Sequence, residues 1–351
     1  MSDNSTALPP FKKLNWLRRD IEVLRRDDGS IVLRSRVPLQ AYPTHIPSLL
    51  HKWAGERPDH TWLAQRRGPE GAWLKISYAQ ARATVDALTQ ALLDLGAGPG
   101  KPVAILSGNS VEHALVTMAA MQAGAPAAPV SPAYSLLSQD HVKLRYIFEL
   151  IRPSVVMVQD GVPFTKALAA LDLRGVTLVH VDRPPDGLPS RAYAELAATK
   201  VTPAVDAALA ALTPDSVGKL LFTSGSTGMP KAVINTQRMM CANMAMSLQT
   251  RVPAEGDEPP VVLDWLPWNH TMGGNATFHG LLGHGGTLYI DEGRPLPGQF
   301  DTTLRNLREV SPTTFSNVPA GYAMLATALE HDEALARKFF ARLSLLSYGG
   351  A

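Results

Sequence analysis

Cysteine is nearly absent from this 351-residue sequence, which holds only Cys241. One thiol can form neither an internal disulfide nor a cysteine-rich zinc site, and it fits a reducing compartment. No charge sign is in excess: 33 Lys and Arg stand against 31 Asp and Glu, a net of +2. That balance argues against nucleic-acid binding through a large basic surface. Long apolar runs are also missing. The longest uncharged stretch, Ala114 to Gln139, contains Pro126, Pro129 and Pro132. It is a poor membrane span and reads better as a buried helix, Val111 to Ala123, followed by a proline-rich strand and loop. Arg18-Arg19 is followed by Asp20 and Glu22 rather than by apolar residues, so a twin-arginine export signal is excluded. These features point to a cytoplasmic protein with small-molecule partners, no nucleic acid and no membrane. They leave the oligomeric state open.

What is present is an ordinary globular composition, 45% apolar and 18% charged, long enough for roughly two domains. Residues 1–41 read as a lead-in with a hairpin, Ile21 to Leu24 and Ile31 to Leu33, joined by the turn Asp27-Asp28-Gly29-Ser30. From Tyr42 the pattern is mixed α/β. A helix is expected over Ala79 to Leu95, ended by Gly96. Buried strands are expected at Pro102 to Leu106, Val155 to Val158 and Thr177 to Val181. Strands alternating with helices predict mostly parallel sheets flanked by helices. An alanine-rich stretch, Ala194 to Leu212, reads as a linker, so the α/β part divides into 42–215 and 216–351. In the second part, strands are expected at Lys219 to Phe222, Val261 to Leu266, Gly286 to Ile290 and Leu343 to Ser347, the last a buried parallel strand. A helix is expected from Gln237 to Gln249.

The segment Thr223-Ser224-Gly225-Ser226-Thr227-Gly228-Met229-Pro230-Lys231 carries the strongest chemical signal. It follows an apolar strand and combines four hydroxyls, two glycines and a lysine. Glycine lets backbone N–H groups turn toward an anion, hydroxyls add donors, and the lysine adds a compact positive charge, the donor set that a phosphate needs. The Walker pattern is not met, because Met229 and Pro230 precede the lysine and Ala232 follows it. On composition alone a flexible Gly/Ser linker fits as well; the strand before it and the closing Pro-Lys favour the phosphate loop.

The run Phe222 to Lys231 resembles the signature loop of the AMP-forming adenylating enzymes, the superfamily of acyl-CoA synthetases, peptide-synthetase adenylation domains and luciferases. Three further segments agree: Trp265-Leu266-Pro267-Trp268-Asn269-His270, Asn109 to Tyr134, and Tyr348-Gly349-Gly350-Ala351. The resemblance spans about Tyr42 to the last residue. Within the family, Pro230 to Thr236, Trp268 to Thr271 and Gly280 to Thr287 most resemble feruloyl-CoA synthase.

The resemblance implies the large N-terminal α/β domain of such an enzyme and a two-step ligation: a carboxylic acid and ATP give an acyl-adenylate, and CoA then gives the thioester. Thr223, Ser224, Gly225, Ser226, Thr227 and Gly228 would hold the triphosphate. Lys231 would neutralise the departing pyrophosphate, and Thr227 would contact Mg²⁺, since a hydroxyl suits a hard cation. Gly349, Gly350 and Ala351 would pack on adenine. His270 would sit where the acid's carboxylate enters, with a core histidine as the alternative. Phe278, Asn317 and Gly349 would line the acyl pocket, although core packing explains them equally well. His270, His279 and His284 match no metal-ligand spacing. The family's later elements, a magnesium-binding carboxylate, a ribose-binding aspartate and a catalytic lysine, have no counterpart before Ala351. The chain therefore resembles a truncated N-terminal part and is expected to be inactive alone. Two rivals stand beside an aromatic acid:CoA ligase: a non-catalytic nucleotide-binding remnant, and another adenylating enzyme acting on amino or fatty acids.

Overall fold

A computed structural model of the chain describes residues 13–224, 228–252 and 256–349. Its centre is a seven-stranded sheet in the order Pro230–Thr236, Val217–Ser224, Ala127–Pro129, Val103–Leu106, Val155–Val158, Thr177–His180 and Arg191–Ala192. All neighbours are parallel except the edge strand Pro230–Thr236, which returns antiparallel to Val217–Ser224. A four-stranded sheet follows the order Val261–Asp264, Thr287–Ile290, Thr61–Arg67 and Ala72–Ser77. Thr314–Asn317 and Leu345–Tyr348 pair in parallel. The expected hairpin forms as Ile21–Arg25 and Ile31–Ser35, and Gly29 in its turn has φ +82°.

The strands Val103–Leu106 and Val155–Val158 are apolar at every position because both faces are covered. Side chains alternate along a strand, so Val103 and Ile105 enter one core while Ala104 and Leu106 enter another. The first core lies between the two large sheets and holds helices Tyr78–Asp94 and Val111–Gln122 together with Trp62, Leu63, Leu288 and Ile290. Helix Val111–Gln122 has eleven of its twelve residues buried. A helix apolar all round belongs in such a core, which accounts for the uncharged stretch. Helix Tyr78–Asp94 starts at a capping box, in which Ser77 Oγ accepts from Gln80 N and Gln80 Oε1 accepts from Ser77 N. The opposite face of the large sheet is covered by Leu144, Ile147, Phe148 and Phe164.

Three local expectations change. The alanine-rich stretch is not a linker: it forms helices Tyr193–Ala197 and Pro203–Ala210, which bury Leu196 and Val205. Alanine favours helix, and these two apolar side chains give it a face to dock. Both large sheets draw strands from either side of residue 215, so the expected division there is crossed by paired backbone. The strand at Leu345–Tyr348 is parallel as expected but not buried, since Leu346 is 46% and Tyr348 77% exposed. Leu-Ser-Leu-Leu-Ser reads as a core run, yet this strand pairs with Thr314–Asn317 alone among the described residues.

Candidate functional site

The two described ends of the hydroxyl-rich segment belong to the strands of a hairpin. Thr223, Ser224, Pro230 and Lys231, expected in a loop, lie on its strands. The ladder pairs Phe222 with Ala232, Thr223 with Lys231 and Ser224 with Pro230. Hydroxyl and proline side chains read as turn formers, but pairing with the apolar strand Lys219 to Phe222 prevails. Proline is tolerated because Pro230 is the first residue of an edge strand. Gly225, Ser226 and Thr227 lie outside the described residues, as do Gly350 and Ala351. Gly228 has φ +82°, in the left-handed region that glycine favours. Thr223 and Lys231 are both exposed at the end of the hairpin. Ala232 sits in the regular ladder and is not among the described residues with positive φ.

The second part of the site is the Trp-x-Pro-x-x-His segment, which leaves the strand Val261–Asp264. Asn109, in the turn before helix Val111–Gln122, clamps it from two sides. Its Nδ2 donates to Leu266 O at 2.9 Å and its Oδ1 accepts from Trp268 N at 3.0 Å. The chain then enters a π-helical turn, Met272–Thr277. Gly273 and Gly274 allow that turn to lie on the segment before it. A Cβ at Gly273 would stand 2.4 Å from Leu266 O, and one at Gly274 would stand 2.3 Å from Trp268 O. His270 precedes this turn and is exposed, so it is not a core histidine. Its Nδ1 accepts from Met272 N at 3.3 Å, and its carbonyl accepts from Gly274 N at 2.8 Å.

The third part is the end of the strand pair Thr314–Asn317 and Leu345–Tyr348. Asn317 is fully buried, with its Oδ1 accepting from Trp265 Nε1 at 3.1 Å and from Val318 N at 2.9 Å. Its carbonyl accepts from Gly349 N at 3.3 Å. A Cβ on Gly349 would meet Met272 Cε at 3.2 Å, so the strand end and the π turn touch. Phe278 belongs to the packed core, with ring centroids 4.8 Å from Trp268 and 5.7 Å from Trp62. The structure thus brings the base of the hairpin, at Lys219 and Asn235, and the strand end at Gly349 onto the π turn that follows His270, while Phe278 packs on Trp268 and Asn317 bonds Trp265.

Sequence reasoning missed two buried ionisable groups here. Lys219, in the strand below the tip, is buried, and burial pulls its value down to about 7. Asp264, at the end of Val261–Asp264, is buried as well, and burial pushes its carboxyl up to about 7. Each is the one charged residue in an apolar run, Lys219 before Leu-Leu-Phe and Asp264 after Val-Val-Leu; that was the available signal. A separate cavity of about 430 Å³, lined by Asp59, His60, Ser311, Lys338 and Arg342 among others, shares no residue with the three parts above. Among the described residues no group of three His, Cys, Asp or Glu could hold a metal ion, and no helix is long and apolar enough to cross a membrane.

The AMP-binding enzyme family model matches residues 50–351. A long-chain-fatty-acid–CoA ligase, ACSBG2 of Xenopus laevis, is 25% identical over 88% of this chain and 40% of its own length. Among solved structures, ATP-bound MatB from Rhodopseudomonas palustris superposes with TM-score 0.61 at 21% identity, covering 87% of this chain and 55% of that one. Acetoacetyl-CoA synthetase from Streptomyces lividans gives TM-score 0.68 at 18% identity, covering 88% of this chain and 47% of that one. The fold is therefore that of the N-terminal α/β region of the adenylate-forming enzymes, and the chain spans 40–55% of the length of these three proteins.

Proposed function

From the premise that the chain belongs to the AMP-binding enzyme family, we propose that it carries the nucleotide- and acid-binding half of an AMP-forming acid:CoA ligase. The observation that carries this reading is the hairpin tip. Thr223 and Lys231 face one another where the strands open, both exposed. Lys231 makes no ion pair with a described residue, whereas its donors are what a phosphate chain needs. ATP with its Mg²⁺ is the substrate that such a tip accepts. Thr223, Ser224, Gly225, Ser226, Thr227 and Gly228 would hold the phosphates, the Thr227 hydroxyl would suit the Mg²⁺, and Lys231 would supply the charge that neutralises a leaving pyrophosphate. Gly349, Gly350 and Ala351 would supply the backbone that packs on the adenine. His270, which touches the Gly349 side through Met272, orients the attacking carboxylate. Catalysis of this kind rests on positioning and charge stabilisation.

The acid is an aromatic one of the feruloyl type, which goes on to a CoA thioester. Support for this finer assignment comes from the segments Pro230 to Thr236, Trp268 to Thr271 and Gly280 to Thr287. The two parts 42–215 and 216–351 serve as subdomains that share sheets rather than as separate folding units. The test is acid-dependent ATP–pyrophosphate exchange with the full-length protein, run with ferulate, benzoate, long-chain fatty acids and amino acids. Exchange with ferulate far above the others is the expected result. Preference for a fatty or amino acid would replace the aromatic assignment, and exchange with no acid would overturn the ligase reading.

A further inference from the structure

Lys219 is buried without a carboxylate partner, an arrangement that costs stability unless every donor is met. Its Nζ has three acceptors. Gly274 O lies at 2.9 Å, Asn275 Oδ1 at 3.3 Å and His279 Nε2 at 3.4 Å. An ammonium has three donors, so the set is complete when His279 is neutral with its Nε2 free to accept. Burial, then the nearby Lys219, holds His279 well below the usual histidine range, which agrees. Across the ladder Lys219 pairs with Asn235, and Asn235 Oδ1 accepts from Asn275 Nδ2 at 3.0 Å. A cross-strand pair from the hairpin therefore grips one residue of the π turn from both sides. Positions 219, 221 and 223 share a face of their strand, as do 235, 233 and 231 of its partner. The face that grips the π turn is the face that carries Thr223 and Lys231.

We infer that Lys219, with Asn235 and Asn275, is a positioning residue that fixes the π turn following His270 to the hairpin carrying the hydroxyl-rich loop. The acid-binding segment and the phosphate-binding tip then move as one body. The hairpin has a second anchorage, since Val217–Ser224 is paired into the seven-stranded sheet. The π turn has the glycine contacts, the Met272 contact with Gly349 and this grip. Loss of the grip should therefore loosen the acid side first. The functional half of this inference rests on the ligase reading; the mechanical half does not.

Two arms test it. In hydrogen exchange on the 351-residue chain, Lys219→Met and Asn275→Ala should speed exchange at residues 270–279 tenfold or more while Val217–Ser224 keeps its protection. Uniform loosening, or none, overturns the tie. In the full-length protein, pyrophosphate exchange with acid and ATP varied separately should show KM for the acid raised fivefold or more and KM for ATP changed less than twofold. Equal effects on both substrates, or a lowered Tm with both KM values unchanged, overturn the positioning role. Asn275→Ala keeps the lysine and carries both arms if Lys219→Met does not fold. Wild-type protein in the same assay separates the two readings. If it exchanges with no acid the ligase reading fails, and hydrogen exchange alone decides the tie.

Discussion

Thr223 and Lys231 are direct partners in the antiparallel ladder, so a hydroxyl and an ammonium eight positions apart in the sequence share one face at its mouth. This arrangement makes Lys231 separable from the fold. It is exposed and has no ion pair with a described residue, so Lys231→Ala should leave Tm nearly unchanged, as surface substitutions do. A charge-assisted hydrogen bond contributes about 1.5–3 kcal/mol, so acid-dependent pyrophosphate exchange in the full-length protein should fall roughly ten- to a hundredfold. An unchanged rate removes Lys231 from the site.

His270 is the complementary case. It is exposed, and its ring accepts only from Met272 N at 3.3 Å among the described residues. His270→Ala should raise KM for the acid more than KM for ATP, with little change in stability. Titrating each substrate in turn separates the effects. Weakened ATP handling with unaltered use of the acid would place His270 elsewhere.

The π turn makes a prediction with a built-in sign control. At Gly273 a methyl group would stand 2.4 Å from Leu266 O and 2.6 Å from Pro267 O, both backbone atoms that cannot turn aside. Gly273→Ala should therefore lower stability by about 1–3 kcal/mol. Gly280, in the helix Phe278–Gly283, has nothing within 4 Å of its would-be Cβ. There Gly→Ala should stabilise by about 0.4–1 kcal/mol, because it reduces the freedom of the unfolded chain. Denaturant midpoints of the two variants, read against wild type, should move in opposite directions. A tolerated Gly273→Ala would mean that the turn does not lie on Leu266.

Much of this fold was legible because local signals and burial agree. Val103 to Leu106 and Val155 to Val158 are apolar throughout and form strands covered on both faces; Gly96 ends the helix that begins after Ser77. What escaped depends on contacts between distant residues. Pro230 to Thr236 looks like the tail of a loop until Val217–Ser224 pairs with it. Met272–Thr277 contains Gly273-Gly274, a loop signal by composition, and becomes helical because it rests on Leu266 and Trp268. The hairpin tip and His270 were visible as motifs. Asn109 and Asn317, which bond Leu266, Trp268 and Trp265 of the His270 segment, could not be assigned this role from sequence, since they meet it only through the folded backbone.

Asp264 yields the prediction with the most definite pH signature. It is buried at the end of Val261–Asp264, its Oδ1 accepts from Leu266 N at 3.3 Å, and Oδ2 has no hydrogen-bond partner among the described residues. Burial pushes its carboxyl up to about 7 against the pull of the Leu266 N–H, the nearby Thr277 hydroxyl and the Trp265 N–H, and the negative charge of Asp291 adds to the rise. Unfolded, the same group titrates near 4. Between about pH 4 and 7 the folded chain holds a proton that the unfolded chain has released, so this group's contribution falls as pH rises and is flat above about 7. Each pH unit of that window is worth about 1.4 kcal/mol at most. Asp264→Asn removes the titration while keeping an acceptor for Leu266 N. Its stability relative to wild type should therefore climb from pH 4 to pH 7 and then level off. The comparison must be a difference between the two proteins. His113 and His279, whose values are pulled down by burial, contribute the opposite slope to both and cancel. Urea denaturation of wild type and Asp264→Asn at pH 5, 6, 7 and 8 reads this directly. Parallel curves across that range would mean that Asp264 is ionised in the folded chain and that burial does not control it.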